Sequence, residues 1–583
     1  MKSASMPHAL PPSLTALLLA VLLSVSPAAL IAQTDADPTA AQGQDAGAYL
    51  AARSAAMQNS FREGTYWFAR ALEADPTNLV LLEGAVLSFT GVGDFAKAAD
   101  HAQTLTELGE RTIGANIALL VRDVQAEDYD AILALPETRK IGNLLDDLVA
   151  AWAEFGKGRM SEAVAAFDAL AATEGLKAFG LYHKALALAA VGDFEGADAI
   201  LSGEAEGPLV VNRRGVIAHV QILSQLERYG DALALIERSF GADPEPELVA
   251  LRAQLATRTP LPFDVVRSAK DGIAEVFFTV AVALNGEAED GYTLIYARSA
   301  LALAPDHSDS LLLTAGLLQQ MGQYELAADT YGLLPKDHPA FHAAEIGRAQ
   351  SLTSLDRAED AIGLLKALAQ SHPDQLIVHV AYGDALRREE RFTEAAAAYD
   401  VGAALVTQPE LRHWGLFYSR GIAHERSGQW DKAEADFRKA LELNPDQPQV
   451  LNYLGYSFVD RGENLDEALG MIERAVAARP DAGYIIDSLA WAYFRLGRYE
   501  DALPQMERAS LLEPVDPVVT DHLGDVYWAV GRQLEARFQW RRALSFNPEE
   551  KDAVRIRRKL EIGLDAVLAE EGAPPLRAVT NGN

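Results

Sequence analysis

Cysteine is absent from the 583 residues. That excludes disulfides, thiolate zinc sites, iron–sulfur clusters, a cysteine nucleophile and a lipid anchor on an N-terminal cysteine. Basic residues are scarce beside acidic ones: 51 Lys and Arg against 83 Asp and Glu, a formal net charge of −32. A surface so acidic repels phosphate backbones and anionic lipid headgroups. It argues against nucleic acid and for a basic or apolar polypeptide as partner. Neither HExxH nor GxSxG occurs, and beyond the N-terminus no uncharged apolar run is long enough to span a bilayer. Gly (43) and Pro (26) are too few for a collagen-like or Pro-rich fibre. Apolar residues make up 49%, which permits a large core and excludes wholesale disorder.

What is present begins with a basic residue, Lys2, followed by the apolar block from Leu14 to Val25, then Pro27 and the small residues Ala28, Ala29 and Ala32. This is the layout of a secretory signal peptide over residues 1–32, with cleavage after Ala32 or Ala28; the alternative is an uncleaved anchor. Residues 33–44 read as a flexible leader. Export, to the periplasm in a bacterium, is the expected localisation, with no membrane span left after cleavage. The complete lack of cysteine suits an oxidising compartment.

A period of 34 residues runs down the chain. In Trp414–Gln447 the residues Gly421, Ala433, Phe437, Ala440 and Pro445 stand at positions 8, 20, 24, 27 and 32. The unit from Pro448 repeats them as Gly455, Ala468, Ile472, Ala475 and Pro480, with one extra residue in its internal turn. The unit from Gly483 has Ala490, Ala502, Met506, Ala509 and Pro514. The unit from Pro517 has Gly524, Ala536, Trp540, Ala543 and Pro548. Small residues at 8, 20 and 27 let two helices approach closely, a large residue at 24 fills the space between them, and Pro at 32 ends the unit. Gly428, Gly497 and Gly531 mark the internal turns, where a left-handed residue closes a helix. Weaker units start near Ala274, Ser308, His342 and Leu376, and earlier ones from Asp45 and Leu79 onwards.

These residues resemble the tetratricopeptide repeat family. The resemblance implies an all-α protein, an α-solenoid of about 13–14 helix-turn-helix repeats that bury their faces by stacking. The expected organisation is an N-terminal lobe over 45–246, a joint or degenerate pair over 247–273, a C-terminal lobe over 274–550, a capping helix over 551–570 and a disordered tail over 571–583. Residues 113–143 also fit the pattern poorly. Enzyme chemistry finds no constellation. His338 and His342 flank Pro339 and read as exposed helix-end residues, Thr90-Gly91-Val92-Gly93 reads as a turn within a repeat, and the pairs Asp146-Asp147 and Glu389-Glu390 read as solvated helix faces. No catalytic, cofactor-binding or metal residue is assigned, and no cofactor is expected.

The resemblance also implies a concave surface lined by positions 2, 5, 9 and 12 of each first helix. Those positions hold Tyr418 and Glu425; Asn452 and Tyr456; Tyr484, Asp487, Trp491 and Phe494; and Asp521, Asp525 and Trp528. Aromatic and acidic groups alternate along them. Either the aromatics contact a ligand, or they pack against the next unit's helix or the cap. Asp487, Asp521 and Asp525 would repel the carboxylate that some relatives clamp at this surface, so an extended apolar or basic segment is the expected ligand.

The run Leu451–Leu503 resembles exported tetratricopeptide proteins of proteobacteria, some of which are outer-membrane lipoproteins that bind and activate a C-terminal processing protease. The implied function is a non-enzymatic exported scaffold or adaptor for a protein partner such as an envelope protease. A periplasmic chaperone or assembly factor using the same groove is the alternative. A repeat-fused enzyme such as a glycosyltransferase is a third reading, for which no α/β window of suitable size is present. Neither the partner's identity nor the oligomeric state follows from the residues.

Overall fold

In a computed structural model, residues 45–241 and 246–576 are described; the expected signal peptide, the leader and the last seven residues of the tail lie outside them. Among the described residues the chain forms 31 α-helices, two short 3₁₀ helices and no strand. Successive helices pair into hairpins, six before Gly241 and eight from Ala269 to Leu544, in an α-solenoid of helix-turn-helix units. Among the described residues no helix is long and apolar enough to cross a membrane.

The repeat spacing has a direct structural cause. At position 8 the first helix offers bare backbone to a large side chain of the second. A Cβ added to Gly383 would lie 2.5 Å from Tyr399, one on Gly421 2.6 Å from Phe437, one on Gly455 2.7 Å from Ile472, and one on Gly524 2.4 Å from Trp540. Phe437, Ile472 and Trp540 are fully buried there. In the unit from Gly483 the pair is Ala490 with Met506, whose unbranched thioether leaves room for a Cβ. The internal-turn glycines adopt the left-handed conformation, with φ of 77° at Gly428, 75° at Gly497 and 85° at Gly531. The extra residue after Arg461 is absorbed by two left-handed residues, Gly462 and Asn464.

The chain divides into two compact units at Leu368/Ala369. The division does not fall at the expected joint over 247–273. Leu248, Leu255, Leu261, Val265 and Val266 of that stretch are buried in the core of the first unit. Apolar burial decides this: a segment whose side chains are buried in the core is held by it.

The first unit also departs from nearest-neighbour stacking. Its helices Ala269–Leu284 and Asp290–Leu303 pack on the first helices of much earlier hairpins. The former lies on Asn143–Gly156 and Lys177–Ala190, the latter on Leu79–Val92 and Ile113–Gln125. The contact is close: a Cβ on Gly272 would lie 2.3 Å from the buried Trp152 ring. Arg298, buried, donates to the Gly91 carbonyl at 2.9 Å, and Gln125 to that of Ala302 at 3.1 Å. Burial lowers the Arg298 pKa to about 10. At the centre Glu275, fully buried, accepts from Tyr182 Oη (2.8 Å) and Arg214 Nε (2.7 Å) and contacts His307 Nε2 (3.2 Å). Burial alone would raise the Glu275 pKa, but the Arg214 charge and the His307 contact hold it well below the carboxylate range.

Three smaller expectations change. His342 is buried in the first turn of Phe341–Ser354, not exposed, whereas His338 is half-exposed. Asp146 is half-buried and accepts from the backbone N–H of Ile141 and Gly142, which fixes the start of its helix. The single cap over 551–570 is two helices, Glu550–Ile562 and Leu564–Glu570, broken at Gly563 (φ +84°), where the Trp528 ring occupies the place of a Cβ. Of Thr90–Gly93, read as a turn, only Gly93 is one, as the left-handed cap; Thr90, Gly91 and Val92 are the last residues of the helix Leu79–Val92.

A pair of glycines in the second unit tests the close-approach argument. Gly524→Ala places a methyl against Trp540 and is expected to destabilise that unit by about 1–3 kcal/mol. Gly470→Ala, where nothing lies within 4 Å, is expected to stabilise it by about 0.5–1 kcal/mol through helix propensity. Urea unfolding of both variants measures the difference, and equal effects would discard the argument.

Candidate protein-binding groove

The first helices of four successive hairpins in the second unit, Trp414–Arg426, Pro448–Arg461, Gly483–Arg495 and Pro517–Ala529, carry the ten expected groove residues. Their environments fall into two groups.

Towards the C-terminus the chain supplies its own partners. Asp525 is fully buried and Asp521 nearly so. Lys559, from the cap helix and also fully buried, places Nζ at 2.6 and 2.7 Å from the two Asp521 oxygens and 2.7 Å from Asp525 Oδ1. Trp540 Nε1 also donates to Asp525, at 2.8 Å, and Arg555 stands 3.5 Å from Asp525 Oδ2. Burial raises the Asp521 pKa, against the Lys559 charge that lowers it. Trp528 donates through Nε1 to Asp565 (2.7 Å) and packs on Gly563 and Trp540. A basic side chain beside apolar ones, Lys559 with Ile556, is thus brought to these aspartates by the cap helix itself.

Asp487, Trp491 and Phe494 are also inside. Trp491 is 9% exposed and lies in the core cluster. It is stacked between Phe494 (centroids 4.7 Å apart, planes at 8°) and His522 (3.9 Å, 12°). Asp487 fixes that imidazole at 3.0 Å from Nδ1. Burial disfavours the imidazolium, but the Asp487 charge and hydrogen bond outweigh it, so the His522 pKa is raised. Of the alternatives open for these aromatics, packing against the following unit describes Trp491.

The remaining four are less covered. Tyr484 is 44% exposed. Tyr418 is half-buried against Phe437 and Tyr453, and burial, with Tyr484 nearby, raises its pKa to about 12. Tyr456 is half-buried, and its pKa is raised by burial first and then by Asp487, Asp460 and Asp552 of the cap helix. Asn452 Oδ1 is buried without a hydrogen-bond partner, and so is Gln449 Oε1 one turn earlier on the same helix face. Unmade hydrogen bonds of this kind are costly. Glu425, also among the groove positions, accepts from Tyr453 Oη at 3.1 Å.

Gln449, His522 and Lys559 were not among the residues expected. Gln449 stands at position 2 of its unit and was within reach of the position rule. Lys559 interrupts the apolar face Ala553–Ile556–Leu560, a readable sign of a buried cation. His522, at position 6, carries no sequence signal. Among the described residues no group of three His, Asp or Glu could hold a metal ion.

Residues 346–407, 418–483 and 488–554 match the tetratricopeptide repeat family profile. A TPR repeat-containing protein of Pseudomonas aeruginosa is 28% identical over 162 residues, 28% of this chain and 27% of that one. Human protein O-mannosyl-transferase TMTC1 is 26% identical over 207 residues, 35% of this chain and 23% of that one. The chain thus spans about a quarter of the length of the curated relatives it matches. Among solved structures, the APC/C hetero-tetramer Cut9–Hcn1 is 14% identical, with a TM-score of 0.38 over 89% of this chain and 96% of that one.

Two expectations follow. Lys559→Met leaves two buried carboxylates without their cation, at a cost of about 3–5 kcal/mol. Hydrogen exchange should then show early opening of Glu550–Ile562, and Asp521→Asn with Asp525→Asn in the same chain should restore much of the protection. The second concerns pH. His183 is buried in the first unit, its Nδ1 accepts from Trp152 Nε1 at 3.1 Å, and burial lowers its pKa from 6.5 to about 4. The unfolded state therefore takes up a proton first, and the first unit loses stability as pH falls from 6.5 to about 4. For His522 the raised pKa reverses the sign: its contribution is complete below 6.5 and is lost as pH rises through the folded value. Protection factors followed separately in the two units should slope in opposite directions, and His522→Gln should flatten the second.

Proposed function

We propose that this tetratricopeptide-repeat protein is a non-enzymatic scaffold that holds an extended segment of a protein partner along the first helices of its second unit, at Tyr418, Gln449, Asn452 and Tyr484. The observation that carries the reading is the exposed Tyr484 ring, beside a neighbouring first helix that carries the half-buried Gln449 and Asn452 on one face. An exposed aromatic ring beside half-exposed polar side chains supplies the apolar area that anchors a passing segment. Asp487, Asp521, Asp525, Trp491, Phe494 and Trp528 shape the far end of the groove and set the place of the cap, and Tyr456 stands between the two groups. The surplus of acidic groups suits a basic or apolar segment.

The non-enzymatic reading rests on the use of the described chain in helical hairpins. The finer reading is an exported adaptor for an envelope protease. It is supported by the signal-like residues 1–32 and by the likeness of Leu451–Leu503 to exported relatives of that kind.

Affinity capture from an envelope extract, with wild type and the Asn452→Ala/Tyr484→Ala variant side by side, tests both levels. One partner at fixed stoichiometry is expected, with retention by the variant reduced more than about tenfold, as for loss of an aromatic anchor, and with circular dichroism and melting unchanged. Equal retention by the variant would remove the groove assignment. Many weakly held clients would replace the adaptor by a chaperone, and only cytosolic proteins would end the envelope reading.

A further inference from the structure

Three successive inter-repeat loops of the second unit share a plan, and the last departs from it. In the first two, an exposed aspartate follows the closing proline, and an arginine of the next second helix reaches back to both. Arg474 donates to the Pro445 carbonyl at 2.7 Å and pairs with Asp446 at 2.6 Å. Arg508 donates to the Pro480 carbonyl at 2.6 Å and stands 3.8 Å from Asp481. Arg542 likewise donates to the Pro514 carbonyl, at 2.5 Å, but the next residue is Val515. Arg542 is half-exposed and otherwise meets Gln539 Oε1 (3.5 Å) and the Phe546 ring. Among the described residues no carboxylate pairs with it.

The same loop is more apolar than its predecessors. Leu511, Leu512, Val515 and Val518 are 80, 40, 69 and 45% exposed. The positions of Leu511, Val515 and Val518 hold Glu442, Asp446 and Gln449 in the first loop and Ala477, Asp481 and Tyr484 in the second. The backbone that displays them is fixed. Pro514 and Pro517 restrict φ, and Asp516 Oδ1 accepts from the N–H groups of Val518 and Val519 at 2.8 and 2.9 Å. Ile486, Ala509 and Val519 form a buried cluster at this end of the hairpin. Grouped exposed apolar side chains mark an interaction surface, and a rigid display lowers the cost of ordering it.

We propose that this loop and Arg542 form a docking surface for a segment of a partner polypeptide that carries an acidic residue beside aliphatic or aromatic ones. The partner's carboxylate takes the place that Asp446 and Asp481 hold in the preceding loops and pairs with Arg542, while its apolar side chains cover Leu512, Val515 and Val518. The apolar contact supplies most of the affinity, and the exposed ion pair selects the charge. The charge preference is opposite to that of the groove, and the surface does not depend on the groove reading.

A random-peptide phage library selected on the full chain, after depletion on the Leu512→Ser/Val515→Ser variant, tests this. Depletion removes groove binders without favouring either charge. The surviving peptides are expected to carry Asp or Glu near an aliphatic or aromatic side chain. Titrated as synthetic peptides by fluorescence anisotropy, they should bind Val515→Asp more than about tenfold less tightly, because that variant supplies the carboxylate from within and loses apolar area. Its melting temperature should not fall, since aspartate is the residue of the two preceding loops. Arg542→Gln should weaken binding roughly two- to fivefold, with the difference from wild type shrinking in high salt. No surviving peptides, survivors without acidic enrichment, or affinities unchanged by Val515→Asp or by Arg542→Gln would each overturn the proposal. Should the depletion variant fail to fold, Val515→Asn takes its place.

Discussion

The second unit depends on one contact made again and again: a large side chain of the second helix seated directly on the backbone of the first. Tyr399 on Gly383, Phe437 on Gly421, Ile472 on Gly455 and Trp540 on Gly524 leave no room for a Cβ. The contact sets the distance between the helices of each hairpin and thereby the register in which the next hairpin stacks. It also draws the Trp540 indole to Asp525, and so brings a carboxylate into the core at the place where Lys559 arrives. The electrostatics of the last hairpin are thus downstream of its packing.

Within each unit the chain covers part of its own first-helix surface, by different chemistry. In the first unit two apolar helices, Ala269–Leu284 and Asp290–Leu303, lie on the first helices of earlier hairpins, and a buried carboxylate, Glu275, is held by Arg214, Tyr182 and His307. In the second unit the cap brings one lysine to two aspartates. Buried ion groups of this kind contribute little net stability against an apolar core, yet are costly to break. Their effect is to admit one arrangement of the covering segment and penalise others. Tyr484 stays exposed in the second unit.

Turn chemistry accounts for only part of the repeat signal. In the four C-terminal hairpins with readable periodicity a glycine occupies a left-handed turn position, and Gly93, Gly158, Gly192 and Gly322 do the same in earlier hairpins. At other internal turns the same backbone is held by Glu127, Glu227, Asp356 and Glu390, each with φ near +55°. At those four turns the side chain does not announce the turn. The stretch 247–273 fits the repeat poorly because Leu261, Val265 and Val266 are buried from a segment that is not helical, with the Leu261 N–H held by Ser224 Oγ across 37 residues.

Local pattern by itself determined the helical class, the 34-residue unit and the close-packing positions, because each rests on contacts within about 34 residues of chain; the concave-surface candidates came from the family resemblance. Only the tertiary structure decided which candidates are covered. Asp521 meets Lys559 across 38 residues, Asp487 meets His522 across 35, and Tyr182 meets Glu275 across 93. A position rule says which way a side chain faces. It does not say what the rest of the chain lays over that face, because burial is a property of the three-dimensional arrangement and not of the helix that carries the residue.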